Sequence, residues 1–227
     1  MPFQDLPARL AVVRESIERA RERGGHGQSV TIVAVTKTYG PDAPIAAWRA
    51  GVPDVGENRV QEAVAKMAQV EAPVHWHLIG HLQRNKVKQL DGFQLVHSMD
   101  SARLADALAA YGMARRRPLD VLVQVNVSGE GSKGGYEATG IEREAERLRG
   151  MHGLAVRGIM TMAPLDAKVG TLRTVFAGAR HCVELLRAAG HPATELSMGM
   201  SGDYEIAVEE GATLVRLGTV LFGARPA

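Results

Sequence analysis

The hydrophobic positions of the chain begin in a helical pattern and then change to short apolar runs. Apolar residues recur every three or four positions from Leu6 to Ala20, with arginine and glutamate between them, which predicts an amphipathic helix. The glycine pair at 24–25 is expected to end this helix. The next apolar run, Val30 to Val35, is too short for a helix and is typical of a strand buried on both faces.

From this point strand-like and helix-like segments alternate to the end of the chain. The predicted strands are 30–35, 52–55, 74–79, 94–96, 119–127, 156–160, 195–198 and 213–217. The predicted helices between them are 41–50, 58–70, 81–90, 101–113, 137–148, 170–189 and 204–210. Such alternation requires parallel strands joined by helical crossovers. Eight repeats predict an α/β fold of the (β/α)₈ TIM-barrel type, with an open doubly wound sheet as the alternative.

Length and composition are consistent with one large domain. The chain has 227 residues, enough for a substantial core, and it contains no long linker or low-complexity run. The hydrophobic fraction of 45% and the charged fraction of 23% are ordinary for a globular protein. We therefore expect residues 1–227 to form a single domain.

Charge, apolar run length and cysteine content exclude several classes. A formal net charge of +2 is too small to indicate a nucleic-acid partner. No apolar run approaches the ~18 residues that a membrane span needs, and the charged N-terminal segment does not resemble a signal peptide. The single cysteine, Cys182, lies at a core-facing position of a predicted helix and is interpreted as a small buried hydrophobe. A chain without disulfides suits the cytoplasm, which is the expected location.

The first candidate for chemistry follows the first strand. Active sites of parallel barrels lie at the carboxyl ends of the strands, and Lys37 stands there. Loss of solvent would lower the pKa of its amine and give the neutral form that attacks an aldehyde to make a Schiff base. The alternative is a lysine that extends from a strand end into solvent.

Two glycine-containing segments near the C-terminus are candidates for phosphate binding. Ser201 lies in the segment Met198–Asp203, just before a predicted helix, and Gly218 and Thr219 follow the last strand. Glycine lets the backbone approach an anion closely, and the final loops of barrels often hold phosphate. A capping serine and an ordinary strand-ending glycine are the alternative interpretation.

Arg216 is unusual because it lies inside the last apolar strand. A buried charge needs a partner, so a structural salt bridge is one interpretation. If the side chain instead points into the barrel mouth, its permanently charged guanidinium could face a ring nitrogen and keep that nitrogen unprotonated. This arrangement would weaken a bound ring as an electron sink.

The histidines around the third strand do not predict a metal site. His77 and His81 are four residues apart, but the strand ends between them, so they would not share a helix face. No cysteine or acidic residue joins them at ligand spacing. We therefore expect no metal.

Several ordered motifs together resemble the pyridoxal phosphate homeostasis proteins, whose barrel is similar to the N-terminal domain of alanine racemase. The motifs are Ala34–Lys37, Gly56–Glu62, His77–Lys86, Gln124–Asn126 with Lys133, Gly158–Met162, Met198–Asp203 and Arg216–Arg225. They extend over nearly the whole chain, which makes the resemblance far more specific than any single motif.

The resemblance implies a fold-type III barrel that binds pyridoxal 5′-phosphate (PLP), with an extra N-terminal helix and no C-terminal β-domain. It implies that Lys37 forms the Schiff base with PLP. It further assigns the phosphate to Ser201, Gly218 and Thr219, the pyridine nitrogen to Arg216, and a lining role to Asn58, His77, Met160 and Ser197.

Two functions compete on this basis. A carrier would bind, buffer and hand over PLP, with PLP-dependent apo-enzymes as recipients. An amino-acid racemase would need an acid/base on each face of the substrate, and in alanine racemases the second is a tyrosine from another domain. The chain ends at Ala227, soon after the eighth strand, and the sequence pattern does not indicate any of its four tyrosines as the second acid/base. We therefore expect a monomeric carrier without enzymatic activity; a protein-interaction scaffold is a third class.

Overall fold

A computed structural model describes residues 3–130 and 134–223, and nine strands and eight α-helices occur in that part of the chain. Eight strands form the barrel, namely β1 Thr31–Val35, β2 Asp54–Glu57, β3 His75–Leu78, β4 Phe93–Met99, β5 Leu119–Asn126, β7 Leu154–Met160, β8 Glu195–Ser197 and β9 Leu214–Leu217. The two-residue strand β6, Tyr136–Glu137, pairs with the outer end of β5. The helices are α1 Leu6–Gly24, α2 Asp42–Arg49, α3 Val60–Met67, α4 Ala102–Ala114, α5 Ile141–Arg149, α6 Val169–Ala188, α7 Tyr204–Glu209 and α8 Thr219–Phe222.

Strand pairing closes the sheet into a barrel. All pairs are parallel, and the strand order runs β4-β3-β2-β1-β9-β8-β7-β5. An additional β4–β5 pairing, with Val96 opposite Val121, joins the two ends of this order. The predicted (β/α)₈ barrel is therefore confirmed, and the open doubly wound sheet is wrong.

The connection between β3 and β4 differs from the prediction. The sequence predicts an α-helix over 81–90, whereas the structure has a 3₁₀ helix, Arg84–Gln89. Its two buried apolar side chains, Val87 and Leu90, are three residues apart, and the Leu90 amide donates to the Val87 carbonyl at 3.2 Å. This spacing matches the 3₁₀ repeat of three residues per turn. Strand β6 and helix α8 were not predicted because two and four residues are too short for periodicity to reveal.

The core is divided by the strands into two unequal parts. The larger part lies between the barrel and its helices and includes the buried stripes of α1, α4 and α6. Cys182 is buried in this layer, as predicted. The smaller part fills the barrel interior with Val33, Leu95, Leu122, Met160 and Leu214.

Helix α1 is the extra N-terminal helix, and it packs against α7 and α8. Its predicted apolar stripe is buried, and it ends at Gly25, whose left-handed φ of 67° glycine adopts without strain. Arg23 reaches across to Glu209 of α7 at 2.6 Å, so an ion pair supplements the apolar contact. None of the helices within residues 3–130 and 134–223 combines the length and apolar character required to cross a bilayer.

Candidate functional site

A cavity of about 770 Å³ opens at the carboxyl ends of the barrel strands. This volume lies in the usual range for cofactor sites, and the position is the one that barrel enzymes use. Six of the predicted site residues line it: Lys37, Asn58, Ser201, Arg216, Gly218 and Thr219. Tertiary structure thus brings together residues that follow β1 and β2, residues in and just after β9, and the loop after β8.

Lys37 enters the cavity from the turn that follows β1. The five residues of β1 are largely buried, and Lys37 itself is half-buried. The next residue, Thr38, has a φ of 70°, which is strained for a β-branched residue. Such strain is found mostly where the surrounding structure holds a functional segment in place.

A buried ionic cluster holds the backbone just before Lys37, and we call it the clamp: Thr36, Glu57 and Lys66. The Lys66 ammonium lies 2.6 Å from Glu57 Oε1 and donates to the Thr36 carbonyl at 2.8 Å. The Thr36 hydroxyl donates to the same carboxylate oxygen at 2.6 Å. Glu57 is fully buried and Lys66 is 8% exposed, so the clamp is shielded from water. It fixes the strand end from which the Lys37 side chain projects.

The opposite side of the cavity is a corner of backbone amides. The amides of Gly218 and Val220 donate to the Ser201 hydroxyl at 3.4 and 3.3 Å. The loop that carries Ser201 is held by Asp203, which accepts from the Met200 amide at 2.6 Å. This corner therefore already stabilises an oxygen acceptor, as a phosphate site must.

Asn58 forms a wall of the cavity through close backbone packing. A Cβ added to Gly80, in the loop after β3, would lie 2.4 Å from the Asn58 carbonyl oxygen. Only glycine allows the two loops to approach this closely. The approach keeps Asn58 half-buried at the cavity edge.

The rim carries a histidine–aspartate pair and an apolar loop. His81 Nδ1 lies 2.8 Å from Asp100 Oδ2, and both residues line the cavity. The loop after β7 contributes Leu165, which is 87% exposed. The site is therefore open to solvent and to large molecules.

Arg216 lines the cavity from inside the barrel, although it is only 4% exposed. Its guanidinium donates to the Ser197 hydroxyl at 2.5 Å and to the Thr161 carbonyl at 2.9 Å. Burial lowers the pKa of Arg216 to about 10, and the charge of Asp203 opposes that shift. The side chain therefore remains a cation at neutral pH, and a hydroxyl and a backbone carbonyl of the barrel interior hold its guanidinium.

A chain of hydrogen bonds continues from Arg216 through the barrel interior, and we call it the core relay: Arg216, Ser197, His97, His77 and Asp54. Ser197 Oγ lies 2.9 Å from His97 Nδ1, and His97 Nε2 lies 2.9 Å from His77 Nδ1. His77 Nε2 lies 3.0 Å from Asp54 Oδ1, at the opposite end of the barrel. Burial, and after it the neighbouring His77 imidazole and Arg216 guanidinium, hold the pKa of His97 well below its ordinary value.

Three predicted lining residues lie beneath the cavity rather than in its wall. His77 and Ser197 are buried members of the core relay, and Met160 belongs to the apolar cluster inside the barrel. Among the described residues, none of the three lines the cavity. Their side chains can act on a ligand only through Arg216 or through the packing below it. Lys133, from the motif near the fifth strand, lies outside the described residues.

Sequence reasoning missed several polar residues that shape this site. Lys66 and His97 sit in a helix and a strand whose patterns resemble those of any other helix or strand. Asp54, a charge at the start of an apolar strand, was the one available signal. No local pattern indicates that Lys66 would reach Glu57, or that His97 would contact a side chain 100 residues away.

Comparison with known proteins gives a consistent result. A profile of the family described as alanine racemase, N-terminal domain, matches residues 9–226. The pyridoxal phosphate homeostasis protein of Aquifex aeolicus (strain VF5) is 40% identical over 221 residues, which cover 96% of this chain and 97% of that protein. The protein of the same name from Escherichia coli (strain K12) is 36% identical, and the match covers 98% of each chain.

Solved structures agree with the sequence matches. PipY of Synechococcus elongatus PCC7942, solved with PLP bound, is 36% identical with a TM-score of 0.84, and the match covers 96% of this chain and 100% of PipY. Alanine racemase of Clostridium difficile 630 is 12% identical with a TM-score of 0.73, and the match covers 94% of this chain but 57% of the racemase. The racemase likeness shows the shared barrel fold alone.

Proposed function

The chain belongs to the alanine racemase N-terminal domain family and, within it, to the pyridoxal phosphate homeostasis proteins, and from this premise we propose that it carries PLP as a Schiff base on Lys37. It takes part in the homeostasis of this cofactor, binding it reversibly and releasing it. The observation that carries the proposal is a half-buried lysine that shares one cavity with a buried arginine and a corner of backbone amides.

The residues of the cavity match the three functional ends of PLP. The aldehyde needs an amine, which Lys37 supplies at the end of β1. The phosphate needs hydrogen-bond donors, and the Gly218 amide and the Ser201 and Thr219 hydroxyls are assigned to it. The pyridine nitrogen is assigned to Arg216, because a guanidinium donates but does not accept hydrogen bonds. Asn58 is assigned to the wall beside the ring.

His77, Met160 and Ser197 have an indirect role in this assignment. They support the floor of the site, either through Arg216 or through the apolar cluster beneath it. A guanidinium opposite the ring nitrogen leaves that nitrogen unprotonated, so the ring withdraws electrons weakly. This property favours storage of the cofactor over carbanion chemistry.

The carrier role is favoured over racemization by the surroundings of Lys37. Racemization needs a second acid/base on the opposite face of the substrate, within a site shielded from water. Within the described part of the chain, none of the four tyrosines lines the cavity. His81 does line it, paired with Asp100, but His81 is exposed at the rim. An open rim suits exchange of PLP with other proteins.

The partners follow from the same proposal. PLP-dependent apo-enzymes are the recipients, and the open rim gives them access to Lys37. The protein works in the cytoplasm as a monomer, and the whole chain, 1–227, acts as one PLP-binding domain.

Reductive trapping tests the attachment point. After incubation with PLP and reduction with borohydride, peptide mapping is expected to find the label on Lys37, and Lys37→Arg should lose both the label and the visible absorption band. The exposed Lys88→Ala serves as the control and should retain both. A label on another lysine, or a band that persists in Lys37→Arg, contradicts the assignment.

Exchange of the alanine α-proton with deuterium tests the carrier role. The PLP-loaded protein is expected to exchange this proton no faster than free PLP does, because no shielded second base faces the substrate. Rapid wash-in would favour the racemase, and its loss in His81→Gln would identify the second base.

A further inference from the structure

The two ends of the core relay have fixed hydrogen-bonding roles. A guanidinium can only donate, so Arg216 must donate to Ser197. An ionised carboxylate can only accept, and Asp54 is at the other end. Burial alone would raise the pKa of Asp54, but its hydrogen bonds to His77 and His75 outweigh burial and lower that pKa below its ordinary value. Asp54 is therefore ionised at neutral pH, and His77 Nε2 must carry the hydrogen between them.

When His77 is neutral, the roles of these two ends determine which atom carries each hydrogen between them. A neutral His77 with its hydrogen on Nε2 has a bare Nδ1, so it accepts from His97 Nε2. His97 is neutral as well, so its Nδ1 is bare and accepts from the Ser197 hydroxyl. In this scheme each donor and each acceptor between Arg216 and Asp54 has a hydrogen-bond partner.

The alternative, a doubly protonated His77, leaves a group unsatisfied. His77 would then donate from Nδ1, His97 would donate from its own Nδ1, and Ser197 would receive hydrogens from both His97 and Arg216. The hydrogen of the Ser197 hydroxyl would then have no acceptor in the part of the chain that the structure describes. A His77 cation would be paired with Asp54 at 3.0 Å, so the hydrogen left over on Ser197, and not the added charge, distinguishes the two schemes.

We propose that the core relay is a one-way chain of hydrogen bonds, in which His97 and His77 are positioning residues that hold the Arg216 guanidinium against the floor of the PLP site. The contact between Arg216 and PLP rests on the proposed function, whereas the direction of the hydrogen bonds in the relay does not. The relay links the cation at the cavity to the carboxylate at the opposite face through three neutral side chains, the last two of which have a defined tautomer.

The direction of the relay is measurable without PLP. In the full-length protein labelled with ¹⁵N-histidine, long-range ¹H–¹⁵N spectra at neutral pH are expected to show both His77 and His97 as neutral Nε2–H tautomers. His77→Gln and His97→Gln assign the two signals. A doubly protonated His77, or a hydrogen on Nδ1 of His97, would overturn the proposal even if the protein bound no PLP.

The positioning role is tested by affinity for two ligands. One is PLP, and the other is an analogue in which C–H replaces the ring nitrogen. His97→Phe removes the donor and the acceptor while keeping a ring, and it is expected to weaken PLP about 10- to 100-fold, the range for hydrogen bonds to charged groups. The affinity of His97→Phe for the analogue should fall less than about 3-fold, because the analogue makes no hydrogen bond to Arg216.

Rescue and a smaller variant separate positioning from damage to the fold. His97→Gln retains a donor and an acceptor and should restore PLP affinity to within a few-fold of the original. Ser197→Ala removes a single oxygen and should reproduce the selective loss if His97→Phe does not fold. Equal losses for PLP and the analogue, or no loss for either, would refute the positioning role.

Discussion

The clamp and the core relay are two buried polar clusters that accommodate their charges in different ways. In the clamp, the charges of Lys66 and Glu57 are in direct contact at 2.6 Å. In the relay, the charges of Arg216 and Asp54 are separated by three neutral side chains. Each cluster ends at a residue of the cavity or beside one, so each places a functional group.

The two clusters also differ in how much of the barrel they connect. The clamp joins α3 to adjacent strand ends, and its charges compensate each other locally. The relay draws one side chain from each of five strands, so it couples the cavity to the opposite face of the barrel. Breaking the clamp should therefore cost mainly folding stability, and breaking the relay should mainly affect the ligand.

The largest expected effect on stability is that of Lys66→Met. This change leaves the Glu57 carboxylate buried without its cation, which costs about 3–5 kcal/mol of unfolding free energy. Urea denaturation checks it, with the exposed Lys88→Met as the matched control. Adding Glu57→Leu should recover most of the loss, because an apolar pair replaces a buried ion pair at little cost. A loss below about 1 kcal/mol in Lys66→Met would remove the contrast between the clusters.

A smaller loss of stability is expected for His97→Phe. The relay's inner members are neutral, so the variant leaves unpaired hydrogen-bonding groups on Ser197 and His77 but no unpaired charge. The expected loss is about 1–3 kcal/mol in the same denaturation experiment. If His97→Phe instead cost more than Lys66→Met, the relay would have to contain a buried charge that the tautomer scheme lacks.

The smallest effect is a change in acid sensitivity in Asp54→Asn. The folded-state pKa of Asp54 is depressed, so its stabilising contribution is complete above the unfolded pKa of about 3.9 and is lost as the pH falls through the folded value. The unfolding free energy of Asp54→Asn should therefore fall less than that of the original protein between about pH 5 and pH 3. Asp42→Asn, at an exposed position, is the control. Parallel pH profiles for the two proteins would show that His77 and His75 do not hold Asp54 as an anion.

The sequence was sufficient for the architecture and for one side of the site. Helical and strand periodicities report burial within a few residues, so they predicted α1, the eight barrel strands and their order of appearance. The position of Lys37 after a buried strand predicted that it lies at the barrel mouth, where the structure places it, half-buried, in the cavity wall. The same reasoning could not distinguish a short 3₁₀ helix from an α-helix, because side chains three residues apart lie on one face of either helix.

The sequence by itself determined that strands and helices alternate and where each barrel strand lies to within a few residues, because these properties depend on neighbours along the chain. Only the tertiary structure decided that Asp54, His77, His97, Ser197 and Arg216 meet inside the barrel. Their contacts depend on the closure of the sheet between β4 and β5 and on the register of each strand pair. Closure and register arise from the packing of the whole barrel, and no local pattern encodes them.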